Sequence, residues 1–306
     1  MTAHVKDPQS DLPSPASPAS PASSPESNAP NRPIQSDHPL ANIRCLVADV
    51  DDTLTVDGSL SGPVLDAVAR AAAAGIEVIL NTGRPAGYGA TLLAYVRGLG
   101  AVVVENGGAW FDRKAPGAPL DPHEAPLFLR DGATPDLRKR LMDLANRVAA
   151  RAGLSFVETA DNAFRLTDYT VLRRLPMDTN AATVLQALRR YTDEESAGQG
   201  SLLASSIHLH FMLDGGRARS KADGVAQLLA RRGVAQPHEF LARHAVSVGD
   251  SANDASFFEP GRFAWSVGVR NIERYLPELG ANRPRYITQQ PEGHGLLELI
   301  EALLRR

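Results

Sequence analysis

The stretch "LVADVDDTLT" (residues 46–55) sets three carboxylates at the end of an apolar run. Asp49, Asp51 and Asp52 follow Leu46, Val47 and Ala48 with no Lys or Arg among them. Like charges this close repel, and each raises the pKa of the others unless something neutralises them. The run itself, "IRCLVADV" (43–50), is short and apolar, as a buried parallel strand requires. Alternation follows. "GPVLDAVARAAAAG" (62–75) reads as a helix with Ser61 as N-cap and Gly75 as its stop, and "IEVILN" (76–81) as a second strand. "GATLLAYVRGLG" (89–100) reads as a second helix and "AVVVEN" (101–106) as a third strand. This order implies right-handed crossovers and a parallel sheet.

The pattern resumes near the C-terminus. It shows a helix around 220–232, a strand "HAVSVGD" (244–250) and a short helix near 253–258. Strands "RFAWSVG" (262–268) and "RYITQQ" (285–290) and a helix "GLLELIEALLRR" (295–306) complete it. The expected fold is α/β, a Rossmann-like doubly wound parallel sheet. Residues 108–215 break the alternation. A helix opens at "TPDLRKRL" (134–141), with Thr134 as cap and Pro135 in the first turn. Strand-like "LSFVET" (154–159) and "AFRLTDYTVL" (163–172), a helix "AATVLQALRRY" (181–191) and a strand "SSIHLHFML" (205–213) follow. Paired strands with two helices suggest an inserted α+β domain, hinged at "GG" (107–108) and "DGG" (214–216). The expected division is a tail at 1–40, a core at 41–107 and 216–306, and the insertion at 108–215.

Composition bounds the function. The chain is 43% hydrophobic and 22% charged with net charge −3, which argues against a nucleic-acid or anionic-membrane binder. A single cysteine, Cys45, excludes an intrachain disulfide and a Cys-built zinc site, and reads as an inert core thiol. Residues 1–39 hold nine prolines, include "SPASPASPASSP" (14–25) and lack Phe, Trp and Tyr. Such a segment cannot bury enough surface to offset its ordering entropy and is expected to be disordered. No apolar run reaches the roughly 18 residues of a membrane span, and no apolar h-region opens the chain, so the expected compartment is the cytoplasm.

In an open parallel sheet, ligands bind beyond the carboxyl ends of the strands. The first strand delivers Asp49, Asp51, Asp52 and Thr53 there, and the second Asn81, Thr82, Gly83 and Arg84. The strand at 244–250 delivers Gly249, Asp250, Asn253 and Asp254, and "RARSKADG" (217–224) sets Lys221 at a helix start. A hard cation such as Mg2+ prefers carboxylate oxygens, and Asp49 and Asp250 can hold it while it offsets their repulsion. A strand-end carboxylate can attack phosphorus, and Asp51 can protonate the leaving oxygen and then deprotonate a water. Thr82, the N–H groups after it and Lys221 can hold the phosphoryl oxygens. Singly, "DDT", "NTG" and "GDSAND" are ordinary turn and cap sequences. Their shared sheet edge joins them.

These residues resemble the four motifs of the haloacid dehalogenase superfamily, in order. D-x-D-x-T matches Asp49, Asp51 and Thr53; a strand-end Thr matches Thr82; a Lys matches Lys221; and G-D-x-x-N-D matches Gly249, Asp250, Asn253 and Asp254. The long insertion and "VVENGGAWF" (103–111) are similar to the type-two cap of subfamily IIB, which includes Cof-like, sucrose-phosphate and phosphoglycolate phosphatases and phosphomannomutases. The resemblance implies an Mg2+-dependent phosphatase working through an aspartyl-phosphate. Asp49 would be the nucleophile and Asp51 the general acid/base. Asp49, Asp51, Asp250 and Asp254 would form the metal set, and Thr82, Gly83, Lys221 and Asn253 the phosphate set. Asp52 departs from the family, where many members have Gly, and is expected to be a turn residue that points away, since adjacent strand residues face opposite ways.

Specificity would come from the insertion. His208 and His210 lie two apart and share one strand face, and Arg165 and Arg84 are further candidates for touching substrate. The expected partner is a small phosphorylated metabolite, a sugar or sugar-acid phosphate. The alternatives are a phosphomutase of the phosphomannomutase type and a non-catalytic binding module. Against the last stand five intact residues, Asp49, Asp51, Thr82, Lys221 and Asp250.

Overall fold

The apolar run of the opening motif forms β1 (Cys45–Ala48), whose four residues are all buried. In the computed structural model, which describes residues 40–113, 127–129, 136–174, 180–205, 207–215 and 219–305, the strand stops at Ala48 because the chain coils. The N–H groups of Thr53, Leu54 and Thr55 all turn back to the Val50 carbonyl, at 3.4, 2.9 and 3.1 Å. A hairpin of β2 (Thr55–Val56) and β3 (Ser59–Leu60) follows, closed by Asp57 and Gly58 at φ of 50° and 70°. Asp-Gly with both residues at positive φ is a signal for a tight hairpin that the reading of strands and helices passed over. The tail at 1–39 and the expected cap at Thr134–Pro135 lie outside the described residues, as does Gly216 of the second hinge.

The chain continues as α1 (Gly62–Ala73), β4 (Glu77–Asn81), α2 (Ala86–Tyr95), β5 (Leu99–Val104), β6 (Ala109–Asp112) and β7 (Leu127–Leu129). Next come α3 (Leu137–Ala152), β8 (Asp168–Leu172), α4 (Ala181–Glu195), β9 (Gly200–Ala204) and β10 (His208–Leu213). The last part holds α5 (Lys221–Arg231), α6 (Pro237–His244), β11 (Ala245–Gly249), β12 (Trp265–Gly268), α7 (Leu276–Leu279), β13 (Tyr286–Ile287) and α8 (Glu292–Leu304). The main sheet has the order β13-β12-β11-β1-β4-β5-β6-β7. Its pairs are parallel from β13 to β5 and antiparallel at β6 and β7.

Side chains alternate between the faces of this sheet, as the period of two demands. Leu46, Ala48, Val78, Leu80, Val102 and Val104 pack against α1, α2 and α8. Cys45, Val47, Ile79, Ala101 and Val103 pack against α5 and its neighbours. The Cys45 thiol, fully buried, is pushed far above its usual pKa by burial and by Glu77, in keeping with an inert core residue. Residues 109–112 and 127–129, expected in the insertion, instead extend the core sheet. Alternation explains this: Phe111 joins one face of the core and Trp110 the other.

The insertion is a three-stranded antiparallel sheet, β8-β10-β9, with α3 and α4 on one face. Two expectations fail locally. Residues 154–159 form no strand, only a bridge from Glu158 to Val171, and 160–164 form a 3-10 turn rather than the start of a strand. Thr159 and Asn162 spend their side chains on Thr170, which curls the segment. Strand β9 and helix α6 were not foreseen; the latter is signalled by Pro237 in its first turn. Among the described residues no helix is long and apolar enough to cross a membrane.

Helix α5 lies against the turn that follows β5. A Cβ on Gly224 would come within 2.5 Å of the Gly107 backbone and 3.0 Å of Val103 Cγ1. Gly224→Ala is therefore expected to lower stability by about 1–3 kcal/mol, read from the urea unfolding midpoint.

Candidate functional site

Lys221 opens α5 with no exposed surface. Ser220 fixes the helix start there, accepting from the Asp223 N–H at 3.1 Å. The Lys221 ammonium donates to Asp49 Oδ1 and Asp254 Oδ1, both at 2.7 Å. The neighbouring strand β4 ends at Asn81, whose Nδ2 donates to the Lys221 carbonyl at 2.7 Å. Four segments far apart in sequence thus meet at one sheet edge.

Asp49, Asp250 and Asp254 are buried, and each offers a carboxylate oxygen within 4.8 Å of the others. One ammonium faces three carboxylates. The consequence is visible in their acidities. Burial, opposed by Lys221 and reinforced by Asp254 and Asp51, pushes Asp49 up to about 7. Burial and the charges of Asp254 and Asp49 push Asp250 well above its usual value. Lys221 itself moves up despite burial, because Asp254 and Asp49 hold its proton. Asp254 has both oxygens engaged: Oδ1 with Lys221, and Oδ2 with the Asp250 and Ser251 N–H groups at 3.0 and 3.2 Å. It orders the loop and the lysine. An all-oxygen donor set short of positive charge fits a hard divalent cation, with Asp49 and Asp250 the residues open to it.

Asp51 is half-exposed and grips Arg84, with Nη2 to Oδ1 at 2.6 Å and Nε to Oδ2 at 2.9 Å. Arg84 also lies over the Tyr88 ring, 5.5 Å from its centroid. Asp52 is exposed with φ of 54°, the left-handed conformation that glycine takes without cost. It sits in the turn after β1, where a turn residue was expected. Thr82 is buried, and its Oγ1 accepts from the Arg84 N–H at 3.1 Å. Asn253 lies on the turn after β11, its Oδ1 accepting from Ser251 Oγ at 2.6 Å.

The insertion reaches this edge through β8 and β10. Arg165 is buried and committed: it donates to Asp168 at 2.9 Å, to Asp161 at 2.8 Å and to the Gly83 carbonyl at 2.9 Å. Its charge is met by two carboxylates, so it is not a free anion binder. His210 is buried as well, its Nδ1–H directed to Asp168 Oδ2 at 2.9 Å. Burial works against the Asp168 carboxylate, yet Arg165 and the His210 bond hold it well below its usual range. His208 is half-buried and faces the same way. Burial, His210 and Arg165 push it down to about 4, so it is neutral near pH 7.

Sequence reasoning missed three residues that join insertion to core. Buried Glu105 accepts from the Ala86 N–H at 3.1 Å, the Leu166 N–H at 2.9 Å and the Thr167 N–H at 2.6 Å. Burial and the nearby Asp168 raise its pKa. Arg219 donates to the Glu105 and Thr167 carbonyls at 3.1 and 3.0 Å. The Asn106 amide lies 3.3 Å from His210 Nδ1. "VVENGG" held the only signal: a Glu at the end of an apolar strand, where a charge must find partners.

No family model matches the chain. A subclass IIB sugar phosphatase of the haloacid dehalogenase superfamily superposes with TM-score 0.56 over 84% of this chain and 98% of its own, at 14% identity. The fold is that of the haloacid dehalogenase superfamily. The sucrose-phosphatase of Synechocystis sp. PCC6803, solved with sucrose and phosphate, superposes with TM-score 0.56 over 86% of this chain and 98% of its own, at 18% identity. A curated relative, the phosphoglycolate phosphatase of Methanosarcina mazei, is 25% identical over 260 residues, 85% of this chain and 96% of its own. In this superfamily fold the three-stranded insertion occupies the place of the cap.

Two outcomes follow. Lys221→Met leaves three buried carboxylates without their ammonium and should cost about 3–5 kcal/mol in metal-free urea denaturation. His208 has a folded pKa near 4 against about 6.5 in the unfolded chain. Between those values the unfolded state binds more protons, so its contribution to stability falls as pH drops from 6.5 to 4. His208→Gln should therefore lose less Tm than the parent on acidification from pH 7 to pH 5.

Proposed function

We propose that the protein is an Mg2+-dependent phosphatase that hydrolyses a phosphomonoester of a small metabolite, a sugar or sugar-acid phosphate, in the cytoplasm. One observation carries the reading: a buried nucleophile candidate, Asp49, shares a single ammonium with Asp254, Asp250 lies beside both, and a further carboxylate, Asp51, stands two residues on. The superfamily fold and the phosphatase names of the proteins it resembles support it.

The residues divide the work. Asp49 and Asp250 would hold the Mg2+, with the Asp51 carbonyl, and Asp254 secures Lys221 behind them. When bound, the ion supplies the positive charge that lets two anions approach each other. Lys221 and the Thr82 hydroxyl hold phosphoryl oxygens. An Asp49 oxygen forms a bond to phosphorus as the ester oxygen leaves, and Asp51 gives that oxygen its proton. Water then attacks phosphorus, its proton passes to Asp51, and the bond to Asp49 breaks, restoring Asp49 as a carboxylate and Asp51 as the acid that began the cycle. Asp51 must let go of Arg84 to do this. The cap runs from α3 to β10, with β6 and β7 on the core side, and it would close over the leaving group.

The test is free phosphate released from a panel of sugar phosphates, 2-phosphoglycolate and p-nitrophenyl phosphate. Turnover with Mg2+ that EDTA abolishes, no turnover in Asp49→Asn, and a kcat lowered about 10²–10⁴-fold in Asp51→Asn are expected. Absence of metal-dependent turnover on every ester would sink the reading. Turnover that requires an added sugar bisphosphate would instead point to the mutase.

A further inference from the structure

Thr82 is held rigidly through its backbone. Its N–H donates to the Val103 carbonyl at 2.9 Å, and its own carbonyl accepts from the Asn106 N–H at 3.1 Å. The next residue, Gly83, is the first soft joint of the loop, because glycine has the widest choice of backbone angles. Yet the peptide unit between Gly83 and Arg84 is tied at both ends. Its N–H, that of Arg84, donates to Thr82 Oγ1 at 3.1 Å. Its carbonyl, that of Gly83, accepts from Arg165 Nη1 at 2.9 Å. The first tie is local. The second comes from the cap, 82 residues along the chain.

Every other partner of the Arg165 guanidinium also belongs to the cap: Asp161 and Asp168, the latter secured by His210. The Arg165 side chain is 1% exposed, and Asp168 beside it is fully buried. A guanidinium fixed by two carboxylates of its own subdomain moves with that subdomain. Among the described residues, its one bond outside the cap goes to a backbone oxygen of the loop carrying Thr82. The contact is also close in space: a Cβ on Gly83 would lie 3.1 Å from Asn106 Oδ1 and 3.4 Å from His210 Cε1.

We propose that Arg165 is a positioning residue through which a seated cap locks the phosphate-binding loop. Holding the Gly83 carbonyl keeps the Arg84 N–H on Thr82 Oγ1. That bond uses an acceptor site of the hydroxyl and leaves its O–H as the donor aimed at a phosphoryl oxygen. With the cap displaced, the Gly83 carbonyl loses its anchor and only the Arg84 residue stays tied, by its N–H to Thr82 Oγ1 and by its carbonyl to the Glu105 N–H at 3.0 Å, so the Gly83–Arg84 peptide can rock and the hydroxyl is less firmly oriented. The catalytic consequence rests on the phosphatase reading above; the lock itself does not. Arg165 acts on the phosphoryl end of the substrate, so its effect is independent of the leaving group.

The experiment uses the full chain and two variants, Arg165→Met and Arg165→Lys. The second keeps a positive charge beside Asp161 and Asp168, so the cap stays folded, but loses the planar fork that reaches three acceptors at once. Amide hydrogen exchange tests the lock without any activity. The Arg84 amide should exchange at least about tenfold faster in both variants while α3 and α4 keep their protection. Should Arg165→Met also unprotect those helices, Arg165→Lys gives the answer. Steady-state kinetics with Mg2+ should then show kcat/KM reduced by the same factor on p-nitrophenyl phosphate and on each sugar phosphate. Unchanged exchange at Arg84 in a folded variant overturns the proposal. So does a loss that differs from ester to ester, which would make Arg165 a reader of the leaving group. A parent protein inactive on every ester sinks the phosphatase reading and leaves the exchange result standing.

Discussion

The structure turns on a lysine with no exposed surface, suspended between two aspartates. Neither partner is near it in sequence: Asp49 is 172 residues away and Asp254 is 33. An unpaired ammonium in such a place would cost several kcal/mol, so the pairing constrains everything around it. Helix α5 must begin at residue 221, β1 must end just before residue 49, and the turn after β11 must bring Asp254 inward. Each demand is met by a local device. Ser220 caps the helix, the Val50 carbonyl gathers the coil after β1, and a reciprocal Ser251–Asp254 cap shapes the turn.

The sheet order supplies the rest. β1 lies between β11 and β4, with Ala48 opposite both Val248 and Leu80. Their carboxyl ends therefore stand side by side, and Asp49, Asp250 and Thr82 emerge as neighbours. A parallel sheet in this register assembles the site from segments that could not meet otherwise. The excess negative charge is then a property of the architecture, and it adds to burial in raising the pKa values of Asp49 and Asp250.

Much of this was legible in the residues, and the boundary of legibility is physical. The core strands announced themselves as apolar runs, and the polar residues after them fell at one edge by topology alone. Lys221 was readable only as one member of an ordered set, since a lone lysine at a helix start carries no signal. Arg165 shows where reading stopped. Its chemistry suggested an anion partner, but its partners, Asp161 and Asp168, sit four and three residues away, the first in a 3-10 turn that no periodicity foretold and the second where the expected strand in fact begins. The hairpin at Asp57–Gly58 and the core placement of β6 were missed for opposite reasons. The first had a local signal that went unused; the second lay behind a Gly-Gly pair read as a hinge, where the chain instead turns back and pairs β6 with β5.

Glu105 joins the two parts of the molecule in an unusual currency. Its carboxylate grips the backbone N–H groups of Ala86, Leu166 and Thr167, and Arg219 grips two backbone carbonyls beside it. A joint made largely to main-chain atoms asks little of the side chains it holds. Leu166, whose side chain is exposed, can be exchanged for a residue of another character while the bond to its N–H persists. The exposed surface of the insertion is thereby uncoupled from the joint that carries it, so its side chains can change without rebuilding the attachment.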